Sequence, residues 1–304
     1  MSADGVDAFA GDVEPLNSSL YKLGDEEKAF FKATTGISGD EQLKRHILAA
    51  QAKAYAIRPY PCIHRFAFLG IGITKNEAAY QHLLKLGIER PDALFLDVGC
   101  CFGNDVRRAI WDGYPMHNVV TSDLHGEFWQ LGHTLFNTTS ERFTVPFVAG
   151  DIFDPAHLTA VPPLGASQAP PSPRPDIHTL TSLNPLHGHV SAIFASSFFH
   201  LFSEAEQLEL AKKLAGLLSP QAGSMIFGMH VGYPTKATHK GPPGVPNKEY
   251  VLFTHSPESW TEMWDGEVFP KGAVKVEAYL APAEFTWSDV GPTWQFLRWT
   301  VTRV

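Results

Sequence analysis

The stretch Ala93–Gly103, which reads Ala-Leu-Phe-Leu-Asp-Val-Gly-Cys-Cys-Phe-Gly, constrains the fold more than any other part of the sequence. Its apolar start, Ala93–Leu96, predicts a buried parallel strand, and Asp97 follows at the strand end. Gly99 and Gly103 then bracket a tight turn, and apolar residues recur at helical spacing beyond it. Strand, glycine turn and helix together predict the opening unit of a nucleotide-binding α/β sheet.

The spacing of the glycines narrows the class of ligand. Dinucleotide sites use G-x-G-x-x-G, whose middle glycine lets the backbone approach a pyrophosphate, but Cys101 occupies that position here. No Lys-Ser or Lys-Thr pair follows, as a P-loop would require. An acid at the strand end repels phosphates and suits a cationic or hydroxylated ligand. S-adenosylmethionine (SAM), a nucleoside that carries an amino acid and no phosphate, is such a ligand. The pattern D-x-G-x-x-x-G therefore disfavours an NAD-dependent oxidoreductase, and it resembles the first motif of class I SAM-dependent methyltransferases.

The rest of the sequence predicts further strands that alternate with helices. The predicted strands are Ala93–Asp97, Asn118–Ser122, Thr144–Ala149, Val190–Ala195, Ser224–Met229, Ala273–Leu280 and Thr293–Val304. The first five would be parallel with right-handed crossovers, and the last two would pair as a hairpin at one edge. We therefore expect an α/β fold, the Rossmann-like seven-stranded class I methyltransferase sheet with helices on both faces.

The segment before the sheet predicts a separate N-terminal unit. Residues 1–75 are expected to form a loose arm followed by a helical cap, and residues 76–304 the SAM-binding methyltransferase domain. Helices are predicted over Asp25–Thr35, Asp40–Ala56, Asn76–Leu86, Gly126–Asn137, Ser203–Leu218 and Pro257–Trp264. Pro155–His189 and Tyr233–Lys248 are predicted loops, and the first is long enough to be a functional excursion or a mobile insertion.

Three acids, Asp97, Asp123 and Asp151, end three successive predicted strands. The carboxyl ends of parallel strands line the ligand crevice of an open α/β sheet, so these carboxylates are expected to meet there. Resemblance to class I methyltransferases implies that Asp123 binds the ribose and that Asp97 lies near the amino group of the methionine portion. It also implies that Asp151 and Ile152 contact the adenine. The predicted cofactor-binding residues are Asp97, Gly99, Cys100, Gly103, Asp123, Leu124, Gly150, Asp151, Ile152 and Ser196.

The methyl acceptor is expected beside the segment that follows the fourth strand, Ala195–Phe202. His200 in that segment is the candidate general base, since a neutral imidazole takes up a proton readily near pH 7. A structural histidine that hydrogen bonds the loop is the alternative, and His230 is a weaker second candidate. Aromatic residues of the cap and the post-strand loops could form an apolar acceptor pocket, and nearby arginines could pair with a carboxylate. The predicted substrate-contacting residues are Arg58, Tyr60, Phe66, Phe199, Trp260 and Trp264.

Composition excludes several other classes of partner. The net charge is −8 and no Lys/Arg-rich run occurs, which argues against nucleic acid and anionic membranes. The longest nearly apolar stretch, Val190–Phe202, is too short and too polar to span a bilayer. The start, Met1–Gly5, lacks the basic and apolar regions of a signal peptide, so we expect a cytoplasmic location. The three cysteines and the histidines show no metal-ligand spacing, and we predict no metal.

Longer segments resemble a narrower family, the fungal methyltransferases of meroterpenoid and related secondary-metabolite pathways. The segments that carry this resemblance are Arg58–Ile63, Ser182–Leu186, Val190–Ile193, Ala195–Phe202 and His255–Trp260, spread over about residues 50–304. The resemblance implies SAM-dependent O-methylation of a lipophilic small molecule, in some members at a carboxylate, with S-adenosylhomocysteine as the second product.

Two other functions stay open at this point. One is C- or N-methylation of an aromatic or amine metabolite, and the other is a non-catalytic SAM-binding regulatory protein. A carboxylate acceptor and a hydroxyl acceptor differ in their need for a general base, because a carboxylate is already a nucleophile at pH 7 whereas a phenol is not. The sequence leaves the acceptor and the oligomeric state undetermined.

Overall fold

The computed structural model describes residues 14–240, 251–282 and 295–304. The helices are Asp25–Thr35 (α1), Asp40–Ile57 (α2), Pro61–His64 (α3), Glu77–Glu89 (α4), Asn104–Trp111 (α5), Gly126–Leu135 (α6), Glu204–Leu217 (α7) and Pro257–Trp264 (α8). The strands are Leu94–Val98 (β1), Val119–Asp123 (β2), Phe147–Ala149 (β3), Val190–Ser196 (β4), Met225–Gly232 (β5), Ala237–Lys240 (β6), Val251–Thr254 (β7), Val274–Pro282 (β8) and Gln295–Arg303 (β9). Helices and strands therefore alternate along the chain as the sequence predicts.

Seven of these strands form one sheet in the order β3-β2-β1-β4-β5-β9-β8. The first five are mutually parallel, and β9 runs antiparallel to both β5 and β8. The predicted seven-stranded α/β sheet with its terminal edge pair is confirmed. Val98 pairs with Ser122 and Asp123 with Ala149, so β1, β2 and β3 end at the same edge of the sheet.

The central strands are buried on both faces, as a parallel sheet between two helical layers requires. Along β1, Phe95 points into one apolar cluster while Leu94 and Leu96 point into the other. The first cluster contains side chains of α1, α2, α4, α5 and α6, and the second contains those of α7 and α8. In the ranges that the structure describes, no helix has the length and apolar character needed to cross a membrane.

The cap helices pack directly on the sheet domain. Phe31 of α1 stacks on Phe136 with ring centroids 5.2 Å apart, and the His46 ring of α2 lies 2.9 Å from the backbone oxygen of Leu135. Both aromatic rings belong to the same apolar cluster as α4 and α5. The predicted division after residue 75 stays a prediction, and it falls next to Asn76, whose side chain caps α4.

The long segment Pro155–His189 contains only short 3₁₀ turns, and it is anchored along one border of the sheet. The Arg174 guanidinium contacts Asp92 at 3.2 Å and Asn118 at 2.8 Å, residues that directly precede β1 and β2. Lys213 of α7 donates to the Leu158 carbonyl at 2.6 Å. The Arg174 contacts lie at the amino ends of these strands, opposite the carboxyl ends where Asp97 and Asp123 lie.

Two details differ from the predicted pattern. The predicted loop Tyr233–Lys248 is wrong over Ala237–Lys240, which forms strand β6 and pairs antiparallel with Val251–Thr254. The remainder, 241–248, lies outside the described residues, as do 1–13 of the predicted arm and most of the Pro-containing segment before β9. The predicted helix start at Ser203 is confirmed, and Ser203 and Glu206 form a capping box there.

Candidate functional site

The turn after β1 takes its shape from residues in left-handed backbone conformation. Gly99 and Gly103 have φ values of +72° and +71°, which glycine adopts without steric cost. A Cβ atom added to Gly99 would lie 2.7 Å from the Phe198 ring, and one added to Gly103 would lie 2.5 Å from the ring of Trp129. Both positions therefore require glycine for space as well as for conformation.

Asp97 ends β1 inside the protein with an exposed fraction of only 3%. Its Oδ2 atom is fully buried and has no hydrogen-bond partner among the described residues. Burial, together with the nearby carboxylates of Asp105 and Asp123, raises the pKa of Asp97 well above its usual value. A buried acceptor without a partner at a cavity wall fits a ligand that brings a positive charge, as the ammonium group of SAM does.

Asp105 is a second acid of this site, half-buried, and the sequence pattern does not indicate it. It lies in the first turn of α5, where its Oδ1 atom accepts a hydrogen bond from the backbone N–H of Ile73 at 2.8 Å. Burial raises the pKa of Asp105 to about 6. Its position two residues after Gly103, at the helix start, was the available signal.

Asp123 ends β2 with its carboxylate held by the backbone on both sides. Its Oδ2 accepts from the N–H of Cys101 and its Oδ1 from the N–H of His125, each at 2.9 Å. Burial raises its pKa. Each oxygen keeps a second lone pair that can accept a hydrogen bond, so the fixed carboxylate can receive the two hydroxyls of a ribose.

Asp151, the acid that follows β3, lies beside the other two acidic strand ends. Gly150 donates its N–H to the Asp123 carbonyl at 3.1 Å, and Asp151 Oδ1 accepts from the N–H of Phe153 at 2.9 Å. Ile152 is 6% exposed and packs in the second apolar cluster. Leu124 is 41% exposed at the rim.

A cavity of about 840 Å³ joins these residues to the cap. The predicted cofactor-binding residues that line it are Asp97, Gly99, Cys100, Asp123, Leu124, Gly150, Asp151, Ile152 and Ser196. Gly103 is not in the lining, because it packs behind the turn against Trp129. Arg58, Tyr60, Phe66 and His200 also line the cavity. The structure thus brings the predicted cofactor side and part of the predicted substrate side into one space.

Three predicted substrate-contacting residues lie elsewhere. Phe199, Trp260 and Trp264 have zero exposure and pack in the second apolar cluster, outside the cavity lining. The rings of Phe199 and Trp260 meet edge to face at 4.9 Å. Their positions give no support for substrate contact, and we drop them from the candidate site. Apolar residue type did not reveal that this side of the post-strand loops faces the core.

His230, the weaker catalytic candidate, is also buried in this cluster. Its Nδ1 atom accepts a hydrogen bond from the indole N–H of Trp299 at 3.0 Å, and its side chain is absent from the cavity lining. This arrangement gives His230 a structural contact in the core.

His200 borders the cavity in a setting that weakens it as a general base. Its Nδ1 accepts a hydrogen bond from the backbone N–H of Val231 at 3.5 Å. This contact is long and does not fix which ring nitrogen carries the proton. Burial lowers the pKa of His200 to about 4. The side chain is therefore a neutral hydrogen-bond donor near pH 7.

Charged residues from distant segments meet at the cap end of the cavity, and no local sequence pattern indicates this. Arg298 of β9 donates from Nη1 to the Lys75 carbonyl at 2.8 Å, and it pairs across strands with Met229, another lining residue. The Lys75 ammonium lies 3.8 Å from the Glu27 carboxylate. Within the described ranges, no group of three or more possible ligands could hold a metal ion.

Comparison with known proteins places the chain in a family. The family model described as "Meroterpenoid methyltransferase N-terminal domain" matches residues 16–69. The chain is 32% identical over 245 residues to the asnovolin E/chermesin D methyltransferase nvfJ of Aspergillus novofumigatus, covering 81% of this chain and 77% of that protein. It is 29% identical over 258 residues to the O-methyltransferase atr3 of Stereocaulon alpinum, covering 84% and 64% of the two chains.

Among solved structures, the 1,6-didemethyltoxoflavin-N1-methyltransferase of Burkholderia thailandensis is similar, with 12% identity, a TM-score of 0.49 and coverage of 85% of this chain and 90% of that chain. The similarity to nvfJ extends over most of both chains. The chain therefore belongs to the fungal secondary-metabolite methyltransferases, enzymes whose methyl donor is S-adenosylmethionine.

Proposed function

We propose that the protein is an O-methyltransferase of a lipophilic small molecule and that the accepting group is a carboxylate. The observation that carries the choice of a carboxylate is the burial of His200 at the cavity wall, which lowers the pKa of its ring to about 4. Such a ring donates a hydrogen bond but does not take a proton from a phenol or an alcohol. A carboxylate, with an ordinary pKa of about 4, needs no base. A hydroxyl acceptor is the second candidate.

The cofactor side of the cavity supports the proposed role of each acid. Asp97 offers a buried, unpartnered oxygen to the cofactor's ammonium group, and Asp123 offers fixed acceptors to the ribose. Asp151 and Ile152 would contact the adenine, as the family resemblance implies. Ser196 and Cys100 complete the wall around this half of the site.

The opposite side of the cavity supports a lipophilic acceptor. Its apolar lining residues come from the cap, from the post-strand loops and from strands β5, β7 and β9; they include Leu20, Leu23, Phe66, Phe68, Leu201, Phe202, Met229, Val231, Leu252 and Phe296. Arg298 lies at the cap end of this lining, beside the Lys75–Glu27 ion pair, and supplies positive charge. An apolar pocket with a few polar groups favours an apolar molecule that carries one anionic group.

The bound cofactor supplies an activated methyl group on a sulfonium. The chain's own task is then to bind and orient the acceptor, and alignment of this kind can contribute on the order of 7–11 kcal/mol of barrier reduction. His200 would donate a hydrogen bond from its ring N–H to one carboxylate oxygen and leave the other oxygen free to attack the methyl carbon. Arg298 would hold the acceptor's charge at the cap end.

The test uses SAM labelled at the methyl carbon, a fungal extract of lipophilic acids and mild alkali. We expect label in the organic product and its release as methanol, because methyl esters hydrolyse under these conditions. Label that resists alkali would indicate an ether, amine or carbon product and would overturn the choice of a carboxylate. No transfer in the presence of tight S-adenosylhomocysteine binding would favour a non-catalytic SAM-binding protein.

Two further expectations accompany this function. The acidic net charge and the lack of basic runs support a small-molecule rather than a nucleic-acid partner. A cytoplasmic location stays a prediction, and fractionation of the native cells would check it.

A further inference from the structure

The cap residue Tyr60 borders the cavity in a fixed position. It is the N-cap residue directly before α3. Its backbone carbonyl accepts hydrogen bonds from the N–H groups of Ile63 and His64, each at 3.0 Å. The Gln51 side-chain amide of α2 donates to the carbonyls of Ile63 and His64 at 2.9 and 3.0 Å. The segment that carries Tyr60 is therefore tied to the cap by the backbone and by a buried side chain.

The ring of Tyr60 reaches the nucleotide side of the cavity. Its centroid lies 6.5 Å from that of His125 and 6.0 Å from that of Phe128, and the Arg58 guanidinium lies 5.9 Å from it on another side. His125 and Phe128 follow Asp123 directly along the chain, and the N–H of His125 fixes one oxygen of that carboxylate. The cap thus meets the sheet domain beside Asp123.

We propose that Tyr60 is a cofactor-binding residue, whose hydroxyl donates a hydrogen bond to a ribose oxygen across from Asp123. The sequence alone predicts that Tyr60 contacts the methyl acceptor instead. The inference rests on the proposed cofactor site but is independent of which molecule accepts the methyl group.

The chemistry of the two side chains is complementary. Asp123 is an acceptor for both ribose hydroxyls, whereas a ribose oxygen also needs a donor. Burial raises the pKa of Tyr60 to about 12, and the nearby Asp123 carboxylate adds to this effect, so the hydroxyl keeps its proton throughout the physiological range. A diol between an ionised acid and a protonated phenol has both kinds of partner.

The test measures binding of S-adenosylhomocysteine by calorimetry and needs no acceptor. Tyr60→Phe keeps the ring contacts and removes one donor, so we expect the dissociation constant to rise roughly three- to tenfold. The same titrations with 2′-deoxy and 3′-deoxy analogues complete a chemical double-mutant cycle. The effect of Tyr60→Phe is expected to vanish for the analogue that lacks the contacted hydroxyl. Tyr279→Phe, on the edge strand β8, is the matched control and should bind like the parent.

Two results would overturn the inference. One is an unchanged dissociation constant in Tyr60→Phe, and the other is an equal loss for the natural ligand and both deoxy analogues. Asp123→Asn separates this failure from failure of the proposed cofactor site. If Asp123→Asn weakens binding and Tyr60→Phe does not, only the role of Tyr60 is wrong. If neither variant changes binding, the cofactor site itself is wrong.

Discussion

The Asp105 carboxylate accepts a hydrogen bond from the backbone N–H of Ile73 at 2.8 Å, which joins the last turn of the cap segment to the first turn after the cofactor loop. Asp97 lies close enough for each carboxylate to disfavour ionisation of the other, and Asp123 adds to the effect. The same small region therefore holds three acids, and their ionisation depends on what binds beside them.

Cofactor affinity is expected to fall as the pH falls below about 6. Burial holds the pKa of Asp105 at about 6 and that of Asp97 above its usual value in the free protein. A bound ammonium group favours the ionised carboxylates, so binding at lower pH must release protons. We expect the dissociation constant of S-adenosylhomocysteine to rise by up to about tenfold for each pH unit below 6.

Calorimetry in buffers of different ionisation enthalpy measures this proton release directly. Asp105→Asn is the matched variant, because its amide oxygen can still accept from the N–H of Ile73. The variant should show a smaller release at pH 5.5. Binding without proton release in the parent protein would contradict the shared role of the two acids.

Substitution of His200 is expected to separate the two oxygen acceptors. If the acceptor is a carboxylate, His200→Gln keeps a donor nitrogen and should lose less than about tenfold in kcat, with His200→Ala losing somewhat more. The measurement is kcat at saturating SAM, with S-adenosylhomocysteine binding as the control for folding. A loss of 100-fold or more in both variants at unchanged cofactor affinity would refute the carboxylate acceptor.

Substitution of Arg298 is expected to affect the acceptor and not the cofactor. Arg298→Met removes the positive charge at the cap end of the cavity and the bond to the Lys75 carbonyl. We expect the acceptor KM to rise about tenfold or more, while the dissociation constant of S-adenosylhomocysteine changes by less than about twofold. The melting temperature shows whether the variant folds. A rise in that dissociation constant without a change in KM would place Arg298 on the cofactor side.

A pair of glycine substitutions isolates the steric requirement of the cofactor turn. Gly99 and Gly36 have φ values of +72° and +73°, but an added Cβ meets Phe198 at the first and nothing within 4 Å at the second. Gly36→Ala should cost about 1–2 kcal/mol of unfolding free energy and leave cofactor binding intact. Gly99→Ala should cost more and weaken S-adenosylhomocysteine binding.

Urea unfolding and calorimetry on both glycine variants measure these effects. Equal loss of stability with normal cofactor binding in the two variants would show that the approach of Phe198 does not shape the turn.

The fold could be predicted because its signals are local. The strand Leu94–Val98 is an apolar run before a glycine turn, and such runs are typical of strands that are buried on both faces of a sheet. Strand ends were less certain: β3 begins at Phe147 rather than Thr144, because the pairing register with β2 sets that boundary. The antiparallel pairing of β6 with β7 left no comparable trace in the sequence.

The site was predictable only where the chain order itself brings residues together. Asp97, Asp123 and Asp151 end neighbouring strands, so topology alone placed them side by side. Arg298 reaches the cavity from β9, far along the chain, and no spacing indicated it. Trp260 was assigned to the pocket from its residue type, although the face of α8 that it occupies turns inward.

The stacking of Phe31 on Phe136 has a consequence for the exchange of ligands. Both rings belong to an apolar cluster that includes side chains of the sheet domain. A cap held in this way cannot rotate away from the sheet domain without exposing aromatic side chains of the core to water. Reactants and products would then pass through the rim of the cavity, where Leu124 and Leu201 are 41% and 44% exposed. Two exposed apolar side chains at the rim favour the entry of a lipophilic molecule, so the apolar part of the acceptor would contribute to its rate of entry.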